Sequence, residues 1–337
     1  MKRNKCAPPY RMLRLLAKLG IVLLLLPLIY NYIPVHKGKS TFYIPSSDAN
    51  SIIDTLKECD YGVSPIDALI LKYIKKPKKG WYTIEKAPKK RFDFFEKLSQ
   101  NKAKTIHVKI YAGETSDELT KRLAKDLRLE HQTLLREYRR HTKYLEGDIL
   151  SGKYEVSRQA DERTVITALF AMSEDKLQTF IAQNPHENFN ELEIKVLLII
   201  ASVIQKETYH KFEMPLISSV IENRLNRGMK LQMDGTLCYG KYSHKVVTPK
   251  RIRKDKSYYN TYLYGGIPPA PLCAVSLNAL KAALHPKKTN YLYFMLNKKG
   301  RHNFASSYKQ HVKNIKAFRH KTPVKDCNKS KIPTSSA

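Results

Sequence analysis

Ala201-Ser-Val-Ile-Gln-Lys-Glu207-Thr208 closes an aliphatic run that begins at Ile194 and is broken only by Lys195 and Ser202. The run is too short to cross a bilayer and reads as a helix of the protein core. Counting back three, four and seven residues from Glu207 reaches Ile204, Val203 and Ile200, so the helical repeat places this acid on the apolar stripe. Gln205 and Lys206 point elsewhere. Desolvation disfavours a charged carboxylate and keeps it protonated, the state that general acid catalysis requires. The same position also suits a Glu that ends a core helix in solvent, and spacing alone leaves both readings open.

Downstream, Leu216, Ile217, Val220, Ile221 and Leu225 form the apolar stripe of a second helix, opened by Pro215 and ended by Gly228. Asn223 and Arg224 sit late in it, and a polar, turn-rich segment with Gln232 and Asp234 follows.

The order of these pieces resembles the MltG (YceG-like) family of membrane-bound endolytic murein transglycosylases. That family's pattern runs close to A-S-I-[IV]-E-K-E-T, N-R-L-x-x-G-M-x-L-Q-x-D-P-T-V-x-Y-G, N-T-Y, G-L-P-P-G-P-I, H-P, Y-L-Y-F and G-x-H-x-F. Here the matching pieces are Ala201 to Thr208, Asn223 to Gly240, Asn260-Thr261-Tyr262, Gly266-Ile267-Pro268-Pro269, His285-Pro286, Tyr291-Leu292-Tyr293-Phe294 and His302-Asn303-Phe304. Departures are Gln205 for the first Glu of E-K-E-T, Gly235 for the Pro of D-P-T, Ala270 for a Gly, and Cys273-Ala274-Val275-Ser276 in place of a Pro-Gly turn. Leu150-Ser151-Gly152-Lys153-Tyr154 likewise replaces a family F-P-D-T-Y.

The resemblance implies that Glu207 is the catalytic acid. It implies cleavage of the MurNAc-GlcNAc bond of peptidoglycan strands without water, leaving 1,6-anhydroMurNAc ends and helping to terminate glycan elongation. Gln232, Asp234, Thr236, Tyr239, Asn260 and Tyr262 are the candidates to line the glycan cleft, because a sugar polymer needs hydroxyl and amide partners. Glu213, Asn223 and Arg224 are expected in support, with Arg224 either anchoring Glu213 or Asp234 or lying on the surface. Most glycoside hydrolases use two carboxylates. A muramidase using Asp234 to activate water, and a tethered glycan-binding scaffold without activity, are the competing readings.

Composition points in another direction. With 61 Lys and Arg against 30 Asp and Glu, the formal charge is +31, as in many nucleic-acid binders. The basic residues are spread along the chain without a nucleic-acid module, so solvated faces, or attraction to anionic lipid and wall polymer, explain them better and no nucleic-acid partner is expected. Five cysteines make no disulfide framework at this length, although Cys238 and Cys273 could pair. No Cys or His cluster has metal-ligand spacing, so neither metal nor cofactor is expected.

Lys2, Arg3, Lys5, Arg11, Arg14 and Lys18 precede an apolar run from Leu19 to Ile33 with Tyr30 and Tyr32 at its far edge. Basic residues stay cytoplasmic and aromatic rings favour the interface. Without a small-x-small cleavage site, and with backward extension through Met12, the run reads as an uncleaved single-pass anchor in the cell inner membrane. The N-terminus is then cytoplasmic and the catalytic domain periplasmic, with peptidoglycan synthases as candidate partners.

The expected fold class is α+β: a transmembrane helix, a small LysM-like α/β module and a mixed α/β YceG-like catalytic domain. The expected boundaries are 1–18 cytoplasmic, 19–40 anchor and stalk, 41–145 small α/β region, 146–320 catalytic domain and 321–337 a disordered basic tail. Two openings, Thr41 to Leu56 and Ile106 to Leu123, share a strand, polar turn and helix, with Thr115 or Ser116 as the second cap. Trp81, in a strand between them, could stack on a sugar or pack in a small core. Further helices are expected at Glu162–Ser173 and Glu174–Gln183.

Overall fold

The computed structural model describes residues 9–74, 76–86, 88–187 and 189–319, in two compact units. Residues 1–8 of the segment expected to be cytoplasmic, and the expected disordered tail 321–337, lie outside the described residues. One unit takes the chain to Ile106 with Val156–Ala160, and the other takes His107–Glu155 and Asp161 onward. Both mix helix and strand.

The first unit begins with α1 (Pro9–Asn31), which contains a segment, Met12–Asn31, of mean hydropathy 2.3. Its 23 residues span about 35 Å at 1.5 Å per residue, long enough to cross a bilayer. The helix starts well before Leu19 and carries Arg14 and Lys18 within it, as snorkelling side chains allow. Then β1 (Thr41–Ile44), α2 (Ala49–Glu58), α3 (Asp67–Tyr73), β2 (Gly80–Thr83) and α4 (Arg91–Gln100) follow. Strands β1 and β2 pair antiparallel with Phe42 opposite Tyr82. Asp48 caps α2 by accepting the Ser51 N–H, and Ile52, Ile53 and Leu56 then pack with Phe94, Phe95 and Leu98 of α4 in one core. Trp81 is 3% exposed, its ring 5.4 Å from that of Tyr43, so it serves the core and offers no open face to a sugar.

The other unit holds the pair β3 (Ile106–Ile110) and β4 (Gly152–Val156) except for their end residues Ile106 and Val156, with α5 (Ser116–Leu127) and α6 (His131–His141) between them in the chain. Thr115 is the α5 cap, in a capping box with Glu118, so the strand-turn-helix plan does occur twice. One continuous α7 (Glu162–Ala182) replaces the two helices expected there. Ser173 does not break it, because its Oγ is occupied, donating to Asp148 O and accepting the Leu150 N–H.

Next come α8 (Glu191–Glu207), α9 (Met214–Asn226), a 3-10 turn at Asp234–Leu237, α10 (Pro249–Lys254), α11 (Leu277–Leu284), the antiparallel hairpin β5 (Tyr293–Leu296) and β6 (His302–Ala305), and α12 (Tyr308–Arg319). Helix α8 is the centre of the core: Leu198, Ala201, Val203 and Ile204 meet Ile217, Val220 and Ile221 of α9 and Ala279 and Leu280 of α11. Each fully buried Leu or Ile contributes about 1.5–3 kcal/mol, enough to hold α8 against its own end effects. Ser202, the polar residue of the run, is satisfied by donating to Ile199 O and accepting the Leu272 N–H.

The break at Ile106 lies well before the expected start of the catalytic domain at 146. Hydrogen bonds explain why. Gly113 N–H donates to Ala274 O, Ala274 N–H donates to Glu114 O, and Ser116 is held by Glu146, so residues 113–118 are built into the unit that carries Glu207. Cys238 and Cys273 are both buried in this unit and form no disulfide. Burial pushes the Cys273 thiol up to about 12, which leaves it a packing residue rather than a nucleophile.

Candidate active site

Glu207 is the last residue of α8, on the stripe that carries the buried Ile204 and Val203 and the half-buried Ile200. It is half-buried rather than sealed. The 3-10 turn packs against this helix end, and Gly235 N–H donates to Glu207 Oε1 at 2.8 Å. On the same turn Asp234 is exposed, and its Oδ1 accepts the Tyr262 hydroxyl at 2.7 Å. Burial, then Asp234 and Glu207, push the Tyr262 phenol well up, so it remains a neutral donor. Glu207, Asp234, Gly235 and Tyr262 therefore form one cluster.

The other candidates sit differently. Gln232 is exposed in a left-handed conformation, φ 48°, and its Oε1 accepts from Arg224 Nη1 at 3.3 Å. Thr236 is fully buried, donating to Met233 O and touching Thr261 Oγ1. Asn260 is fully buried as well; its Nδ2 donates to Ile252 O and Asp255 O. Both hold the loop's shape and present no surface to a polymer. Tyr239 is half-buried, stacked on Tyr259 at 4.4 Å, with its hydroxyl on Asp255 and Ser257.

Arg224 anchors no carboxylate. Its guanidinium donates to the carbonyls of Leu292, Lys230 and Leu231, tying α9 to the residue that precedes β5 and to the loop before Asp234. Asn223 does related work, donating to Thr289 O and Tyr291 O. Glu213 instead pairs with His302, whose Nδ1 lies 2.7 Å from Oε2 and whose main-chain N–H donates to Oε1; Thr208 Oγ1 adds a third bond. Burial acts to raise the Glu213 carboxyl, and the His302 and Thr208 donors overcome it and hold it below the usual range. The pair fastens the residue after the acid to the β5–β6 hairpin. Nothing in the sequence signalled that His302 is its partner, because the two are distant in the chain.

Sequence reasoning also passed over the polar cluster behind the acid. Lys206 Nζ donates to Gly113 O and to Ser243 Oγ, both at 2.8 Å, and Ser243 Oγ reaches Glu118 Oε2 at 3.2 Å. Glu146 accepts from the Ser116 N–H and hydroxyl, each at 2.7 Å. Burial lifts the Glu146 carboxyl to about 7, against the pull of the Ser116 donors and Lys206. Its folded value lies above the ordinary 4.5, so the folded chain holds a proton that the unfolded chain has released. The melting temperature is expected to fall as pH rises from about 4.5 to about 7, and Glu146→Gln should flatten that slope. Thermal melts across this window would show an unchanged slope in the variant if Glu146 were not its source.

Among the described residues, no group of three or more His, Cys, Asp and Glu is placed to hold a metal ion. A separate cavity of about 440 Å³, lined by Tyr144, Phe170, Leu177 and Leu198 together with the carboxylates of Asp148, Glu174 and Glu191, includes none of the cluster residues.

Comparison with known proteins gives this arrangement a family. The chain is 33% identical over 149 residues to the endolytic murein transglycosylase of Bacillus subtilis, covering 44% of this chain and 41% of that protein. It is 28% identical over 177 residues to the endolytic murein transglycosylase of Streptococcus pneumoniae, covering 51% and 32%. The matches thus span less than half the length of these curated relatives. A crystal structure of a YceG-like protein from Listeria monocytogenes shares the fold, with a TM-score of 0.51, 23% identity, and coverage of 81% of this chain and 97% of that one. The YceG-like profile matches residues 42–317, most of the sequence, and the chain belongs to the YceG-like family.

Proposed function

We propose that this protein is an endolytic lytic transglycosylase of peptidoglycan with Glu207 as its single acid and base. The observation that carries the reading is the Gly235 N–H bond to Glu207 Oε1, beside the Asp234–Tyr262 pair. It engages Oε1, and in this reading the acid proton is carried by Oε2.

Oε2 would give its proton to the oxygen of the MurNAc-GlcNAc bond as that bond breaks and an oxocarbenium-like sugar forms. The resulting carboxylate then takes the proton of the MurNAc C6 hydroxyl, whose oxygen closes on C1. Glu207 ends as it began, protonated, and no water is consumed. Tyr262, whose neutral hydroxyl donates to Asp234, would line the sugar side of the site.

The competing hydrolase reading rests on Asp234, an exposed carboxylate in the same cluster. Asp234→Asn is expected to slow cleavage no more than about 10-fold, since it removes one charged partner of Tyr262 and no proton-transfer group. A loss as large as that of the Glu207 variant, measured by fragment release, would favour the hydrolase.

In this proposal α1 is a single-pass anchor of the cell inner membrane with the catalytic unit on the periplasmic side, and the small α/β region of residues 41–145 includes a LysM-like glycan-binding module. With Trp81 buried, sugar binding there would use other residues. The test is incubation of the detergent-purified full chain with sacculi: soluble glycan fragments are expected, whereas binding without release would favour the scaffold.

A further inference from the structure

We infer that the main-chain amide of Gly235 is a positioning donor that holds the Glu207 carboxyl and sets the pH range in which it works. The inference rests on Glu207 being the acid. Two independent features of the site carry it. Gly235 N–H donates to Glu207 Oε1 at 2.8 Å, a bond that ties the acid to another element of the fold. A Cβ at residue 235 would lie 2.8 Å from that same Oε1, 2.9 Å from Lys206 Cβ and 3.3 Å from Glu207 Cδ.

Gly235 has no positive φ, so glycine is needed there for room and not for backbone freedom. The crowding is not easily relieved. Lys206 is tethered through its Nζ to Gly113 O and Ser243 Oγ, and Cys238 N–H donates to Gly235 O and closes the turn. The turn thus approaches the acid as closely as a bare backbone can. At this position the family pattern carries proline, which has no N–H to offer. In this chain the replacement supplies a donor.

An N–H bond to a carboxylate favours its charged form. The other titratable and charged groups at this end of α8 are Tyr262 with its partner Asp234, Lys206 on the helix itself with Glu118 and Glu146 behind it, and the Glu213–His302 pair beyond Thr208. On α9, Arg224 is committed to carbonyls and Glu222 is exposed; on α11 the charged residue, Lys281, is exposed. The crowding of Lys206 by a Cβ is common to any substitution at 235, so a difference at Glu207 between two such substitutions reports the bond that one of them lacks.

Gly235→Pro and Gly235→Ala both add the Cβ, and the proline also replaces the N–H with a ring Cδ on the side that faces Oε1, so that the bond is lost in that variant alone. In the detergent-purified full chain labelled with 13C at Glu side chains, the Glu207 carboxyl is identified by its loss in Glu207→Gln. Its titration midpoint is expected to lie about one pH unit higher in Gly235→Pro than in Gly235→Ala. The basic limb of glycan release should move the same way. Coincident midpoints in the two variants would overturn the inference.

Should the proline variant fail to fold, the wild-type chain labelled with 15N-Gly gives the same answer. The Gly235 amide resonance should move as Glu207 ionises and stay fixed in Glu207→Gln, and an amide that ignores the titration overturns the inference. Neither titration requires cleavage, so a chain that cuts no glycan would refute the proposed function and leave this result readable.

Discussion

Glu207→Gln is expected to lower glycan release from sacculi by roughly two to four orders of magnitude while the melting temperature stays near that of the wild type. Glutamine keeps the volume of the side chain and an Oε1 that can still accept the Gly235 N–H, so the contact between α8 and the 3-10 turn survives. What it loses is the proton on the other oxygen and the ability to receive one back. Fragment release and thermal unfolding measured on the same preparation separate the two effects. Full activity in the variant would remove Glu207 from the mechanism and turn attention to Asp234, the other carboxylate of the cluster.

The largest expected effect on stability lies in the first unit. Asp67 and Arg91 form an ion pair with side chains 0% and 4% exposed, Arg91 Nε to Asp67 Oδ1 at 2.6 Å and Nη2 to Oδ2 at 2.9 Å. Tyr30, near the end of α1, donates to the same Oδ1 at 3.0 Å, and Arg91 also reaches Ile33 O and Gly62 O. Asp67→Ala leaves a buried guanidinium without its counter-charge and should destabilise this unit by about 3–5 kcal/mol. Adding Arg91→Met to it should recover much of the loss, since the cost comes from the orphaned charge more than from the missing attraction. Denaturant unfolding of the single and double variants checks both statements; equal stabilities of the wild type and Asp67→Ala would contradict them. The same network fastens the C-terminal end of the apolar helix to α3 and α4, so the variant should also loosen that join.

Much of the site was legible because it depends on helical periodicity. The stripe through Ile200, Val203, Ile204 and Glu207 follows from spacing alone, and α8 and α9 form with the expected apolar faces. Gly228, with φ 64°, ends α9 where expected, and Met229 N–H closes back on Arg224 O. The partners of polar side chains were not legible. Thr236 and Asn260 belong to the motif yet spend their hydrogen bonds on the backbone of their own loop. Arg224 satisfies carbonyls, and Glu213 finds a histidine from the β5–β6 hairpin. Such pairings join residues far apart in the chain, and periodicity carries no information about them.

Two departures from the family pattern prove to be neighbours. Gln205 Oε1 accepts the Ser276 hydroxyl at 2.8 Å, and Ser276 Oγ in turn accepts the Ala279 N–H as the cap of α11. A neutral amide at 205 thus supports a helix start that begins at a serine. Gln205 lies off the acid's stripe, so the exchange of a charged for a neutral residue there leaves the Glu207 contact to Gly235 in place. Gly235 itself is the departure that touches the acid directly.

The most direct test of single-carboxyl chemistry is to digest purified sacculi with the full chain in 18O-labelled water and weigh the new glycan ends by mass spectrometry. Ring closure by the C6 hydroxyl predicts 1,6-anhydro ends carrying no label. Reducing ends that contain 18O would mean that water attacks the sugar, and would contradict the mechanism built on Glu207 alone.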